Sequence, residues 1–102
     1  MPSRRAVVLR REDGGGAELE RLIRLHNLRV VFTAITDTAV PRLAVMIAAG
    51  HALEHGAEVV VVPHLTAKDV WAGREWHALA EIAEVIGAGG VVLDGGRDFT
   101  RP

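Results

Sequence analysis

The chain has 102 residues, of which 49% are hydrophobic and 25% charged, and its formal net charge is −1. This length suits one domain with a real core, and the composition is globular rather than disordered. The near-neutral balance gives no push toward nonspecific nucleic-acid binding, and the lack of cysteine excludes disulfides and thiolate chemistry. Arg4, Arg5, Arg10 and Arg11 open the chain and read as a solvated, solubilising start. The apolar run 6–9 behind the first two is too short for a signal peptide, and no apolar stretch is long enough to span a bilayer. A cytoplasmic address with no membrane partner is expected.

Ala6, Val7, Val8 and Leu9 read as a first buried strand, stopped by Asp13 and the triple glycine 14–16. From Ala17, Leu19, Leu22, Ile23 and His26 recur at helical spacing, predicting an amphipathic helix that ends near Asn27. The β-branched run 29–35 is a second strand. Thr36, Asp37 and Thr38 are cap residues for a second helix, with Pro41 in its first turn. Leu43, Met46, Ile47, Gly50 and Leu53 form its expected buried stripe, and Gly56 its stop.

The run 58–63 holds four consecutive valines, the pattern of a parallel strand covered on both faces. Thr66 and Asp69 are spaced to cap a third helix, whose expected buried stripe is Trp76, Leu79, Ile82, Ala83 and Ile86, with Trp71 at its flank. The run Gly87-Ala88-Gly89-Gly90 ends that helix, Val91, Val92 and Leu93 form a fourth strand, and the tail 95–102 is expected to fray. The order is β-α-β-α-β-α-β. It predicts a single α/β domain over 1–102, a three-layer open sheet of about four mostly parallel strands with helices on both faces.

Such sheets bind ligands beyond the carboxyl ends of their strands. The glycine turn opens a helix and offers backbone N–H groups to an anion. It matches neither dinucleotide-binding nor Walker glycine spacing, and Glu12 and Asp13 precede it, so a plain turn is the simpler reading. His51, Glu54 and His55 spell H-x-x-E-H, with both histidines on one helical face. A catalytic zinc site needs a further ligand and a base, and this motif falls late on an amphipathic helix. The pair reads as polar outer face, and no metal or cofactor is expected. His64, after the valine strand, stands where catalytic groups often sit, without a neighbouring Ser or Cys nucleophile. Trp71 and Trp76 fit core packing better than a ligand wall.

Four stretches carry a wider pattern. They are Val8-Leu9-Arg10-Arg11-Glu12, the run from Thr36 to Leu43 with Asp37 and Pro41, the run from Val60 to Lys68, and Gly90-Val91-Val92-Leu93. Together they resemble the N-terminal resolvase-type catalytic domain of the serine recombinases, over nearly the whole length. The resemblance implies that Glu12 occupies the place of the serine nucleophile, and that Thr66 and Ala67 replace an Asp-Arg pair needed for phosphoryl transfer. Arg10 and Arg42 would be counterparts of phosphate-contacting arginines. The resemblance stops short of the long dimerisation helix and DNA-binding module of those enzymes. The implied protein is a non-catalytic resolvase-like domain acting through protein contacts, self-association or small-ligand binding. It would be a homo-oligomer or bind a protein partner, and would not hold nucleic acid on its own. Two alternatives remain: an anion- or phosphate-binding module or enzyme using Arg10, Arg42 and His64, and an accessory protein of DNA recombination.

Overall fold

The computed structural model describes residues 2–94. Five strands, β1 (Arg4–Arg10), β2 (Leu28–Ile35), β3 (Val59–Val62), β4 (Glu84–Gly87) and β5 (Val92–Leu93), alternate with α1 (Gly16–Leu25), α2 (Pro41–His55), α3 (Ala67–Trp71) and α4 (Glu75–Ala80). The sheet order is β2-β1-β3-β4-β5, parallel except for β5, which runs antiparallel to β4. Helices cover both faces, so the chain is a three-layer open α/β sheet. No helix among the described residues is long and apolar enough to cross a membrane.

The valine strand shows why β3 is central. Its four side chains are each 0% exposed, Val60 and Val62 packing toward α2, α3 and α4, and Val59 and Val61 toward α1. Alternation on a strand with two covered faces leaves no position for a polar residue. On the α1 side, Leu22 is fully buried and Leu19 and Ile23 pack beside it, as the helical spacing predicts. Asn27 ends that helix region at φ 51, a left-handed conformation that asparagine tolerates better than most residues.

β2 changes face part-way. Its register against β1 passes from Ala6–Val30 to Val7–Phe32, leaving Val31 as the extra residue of a bulge. Leu28 consequently packs with the α1 cluster, while Phe32 and Ala34 pack under α2.

Two expectations from the sequence are corrected. In α2 the residues closest to the sheet are Ala44, Ala48 and Ala52; of the expected stripe Ile47 is half-buried and packs against the same core, while Leu43, Met46 and Leu53 are 48%, 61% and 68% exposed. Both sets have helical spacing, so periodicity does not choose between them. The close approach of helix to sheet does, because only alanines fit there. The expected single third helix is two short helices broken at 72–74, where Gly73 lowers helix propensity. Its expected last turn is the strand β4, with Val85 buried toward α4 and Ile86 toward α1, so the sheet has five strands rather than four. Four residues are too few to separate a period of 2 from one of 3.6. The tail 95–102 lies outside the described residues.

Candidate functional site

The chain steps from β1 to β2 on one side of the sheet, then to β3 on the other, so its winding reverses between β1 and β3. Loops leaving neighbouring strands there diverge and open a crevice at the carboxyl ends. After β1 comes Arg11, then the glycine turn. Gly15 sits at φ 84 as the residue before α1, whose first turn has no side-chain cap. A Cβ at Gly15 would lie 3.6 Å from the Pro63 ring, so the turn rests on the residue that follows β3.

The β1 and β2 loops are tied together. Thr36 N–H donates to the Arg10 carbonyl at 2.9 Å, and Glu12 N–H donates to Asp37 Oδ1 at 3.3 Å. Thr36 and Thr38 do not cap α2. Their hydroxyls accept from the N–H groups of Thr38 and Val40, each at 3.2 Å, and the helix starts uncapped at Pro41. After β3, Thr66 and Asp69 form the expected capping box: Asp69 N–H donates to Thr66 Oγ1, and Thr66 N–H to Asp69 Oδ2, both at 3.2 Å. The Thr66 backbone N–H and hydroxyl hold the Asp69 pKa below the ordinary carboxylate value, with smaller help from His64 and Arg11.

Two cavities adjoin in this crevice. One of about 190 Å³ lies between the glycine turn and Pro63, with Arg11, Asp13 and His64 in its wall. The other, about 310 Å³, has the buried Ala44, Leu65 and Trp76 in its lining together with Arg11, His64 and Asp69. Arg11 and His64 belong to both walls. His64 is half-buried, and its Nδ1 is shut off from solvent without a hydrogen-bond partner. Burial lowers its pKa, Arg11 lowers it further, and Asp69 pulls weakly the other way. Both burial and Arg11 therefore favour the uncharged imidazole.

Of the three residues expected around a ligand, His64 is in this crevice. Arg10 folds onto its own loop, donating to the carbonyls of Arg11 and Gly14, and neither it nor the exposed Arg42 lines either cavity. The residue not singled out from the sequence is Arg11, which lines both cavities. Its signal was position: it is the first residue beyond the strand, where side chains reach the carboxyl edge. Glu12 is exposed beside it.

The four N-terminal arginines are not one solvated cluster. β1 carries two to each edge of the sheet. At the amino edge Arg4 pairs with Glu84 at 2.6 Å and Arg5 donates to the His55 carbonyl at 2.7 Å. His51 and His55 also lie away from the crevice, in the last turns of α2. They are half-buried and stack on Phe32, not on the polar outer face expected for them. Trp76 is core, while Trp71 is 72% exposed beside His77.

No protein-family model, curated protein or solved structure matches the chain.

Proposed function

We propose that the chain is a non-catalytic, resolvase-like binding domain that takes a small anionic molecule in the crevice between β1 and β3. The observation that carries this is the sharing of Arg11 and His64 by two adjoining cavities at that point. A guanidinium supplies a fixed charge, the uncapped start of α1 adds partial positive charge, and a neutral imidazole adds one donor or acceptor. The apolar lining of the larger cavity suits a flat or aliphatic body, and Asp13 disfavours a second negative charge nearby. The ligand class is thus a monoanionic molecule with an apolar or aromatic part.

The non-catalytic reading rests on how the polar groups are occupied. Thr38 Oγ1 accepts from Val40 N–H, the Asp69 carboxylate is held by Thr66, and among the described residues no hydroxyl meets His64 Nδ1. Activation of a nucleophile needs such a contact with a base. Glu12 at the position of the recombinase serine agrees with this reading.

The test is thermal shift of the full chain with a panel of small carboxylates, phosphate monoesters and uncharged analogues. Aromatic or aliphatic monoanions are expected to raise Tm by a few degrees. Arg11→Ala should remove that shift, and Arg42→Ala should leave it intact. No stabilisation by any anion, or an equal shift in Arg11→Ala, sinks the proposal. Because an anion favours protonated His64, whose pKa is lowered chiefly by burial, binding is expected to tighten as pH falls.

A second reading, self-association, is favoured by the outward stripe Leu43, Met46 and Leu53 on α2. Light scattering should then give a dimer that Leu53→Glu dissociates; a monomer at high concentration rules this out.

A further inference from the structure

Away from the crevice, the last turns of α2 bring three metal-ligating groups together. His51 and His55 are one turn apart and Glu54 lies between them, so all three side chains project from one side of the helix. Their ligand atoms lie within 4.8 Å of one another. His51 Nδ1 is 3.5 Å and His55 Nε2 3.8 Å from the same Glu54 Oε1. Ligands about 2.0–2.1 Å from a tetrahedral zinc ion stand roughly 3.3–3.4 Å apart, so small side-chain rotations would close these atoms around a metal.

The surroundings favour that closure. Phe32, brought under α2 by the β2 bulge, stacks on both imidazoles, with ring centroids 4.3 Å from His51 and 4.7 Å from His55. A flat apolar wall shared by two histidines restricts their rotamers and holds them side by side before any metal arrives. His51 Nδ1 is closed to solvent and makes no hydrogen bond, an uncompensated cost that coordination would remove. The helix carboxyl end adds partial negative charge, although Arg5 already occupies the His55 carbonyl. Glu54, 67% exposed, leaves the outer side open to water or another ligand.

We infer that His51, Glu54 and His55 bind one divalent transition-metal ion of the zinc and nickel class, through His51 Nδ1, His55 Nε2 and a Glu54 oxygen. Two imidazoles and one carboxylate select such ions over magnesium and calcium, which prefer all-oxygen sets. Binding exchanges water on the ion for these three ligands.

The experiment is calorimetric titration of the full chain with zinc chloride and nickel chloride, with magnesium chloride as control. Tm is followed in parallel, as is the visible spectrum of added cobalt. One equivalent of zinc or nickel is expected to bind and to raise Tm, magnesium is not, and cobalt is expected to develop ligand-field bands of low-coordinate nitrogen and oxygen ligation. His51→Ala and His55→Ala should each weaken zinc binding by at least about tenfold. Both histidines pack on Phe32, so the exposed Glu54→Gln, which disturbs no packing, should show the same loss in a chain of unchanged circular dichroism. His77→Ala should bind like the parent. Absence of stoichiometric zinc binding overturns the site, as does binding unaltered by Glu54→Gln or lost instead in His77→Ala.

Discussion

Gly87 closes β4 where the turn after β3 comes nearest. Ala88 N–H donates to the Leu65 carbonyl at 2.7 Å, and a Cβ on Gly87 would stand 2.6 Å from that same oxygen. Since the obstacle is backbone, it cannot swing aside as a side-chain end would. Gly87→Ala is expected to destabilise the fold by about 1–3 kcal/mol, read as a lower urea midpoint at unchanged slope. A midpoint equal to the parent's would show that the turn yields freely. The glycine was legible in the sequence as a breaker, but its reason was not. A run of glycines announces a turn whether or not another chain segment presses on it. The same holds at Gly15, where the sequence shows a flexible turn and the fold rests it on Pro63.

At the scale of elements, α2 and the region 66–90 show how far pattern reaches. Bounds for α2 followed from Pro41 and Gly56, since both act locally on the backbone. Its buried face did not, because apolar residues surround the helix and side-chain size does not tell which of them faces the sheet. Ala48, 0% exposed, marks the closest approach to the sheet. Ala48→Leu should therefore cost about 1–3 kcal/mol through overpacking, whereas Leu53→Gln should change monomer stability by less than about 0.5 kcal/mol. Urea titrations of the two variants decide it, and the reverse order would place the large residues, not the alanines, against the sheet. β4 was hidden because Ile86 falls at helical spacing from Leu79, Ile82 and Ala83, and only pairing with β3 selects the strand.

Across the whole molecule, one half-buried carboxylate joins distant parts of the chain. Glu18, in the first turn of α1, accepts from the Arg21 guanidinium at 2.9 and 3.0 Å and from Gly89 N–H at 2.8 Å. The Arg21 hydrogen bonds chiefly, then that from Gly89, lower its pKa from 4.5 to about 2. A depressed carboxylate contributes stability above its unfolded pKa and loses it as pH falls through the folded one. The urea midpoints of the parent and Glu18→Gln should therefore differ at neutral pH and converge between pH 4.5 and about 2. A gap that does not vary with pH would detach Glu18 from acid stability.

Local sequence was enough for the α/β class, the parallel central strand and the place of His64 just beyond that strand's carboxyl end. These depend on local period and on polar breaks, which neighbouring residues encode. Tertiary structure alone decided that Arg11 and not Arg10 or Arg42 shares the cavity walls with His64, and that the arginines divide between two edges. It also decided that a bulge turns Phe32 toward His51 and His55. Each of these depends on which strand lies beside which and on where one extra residue shifts the register. Such facts arise from pairing between segments distant in the chain, and no local pattern contains them.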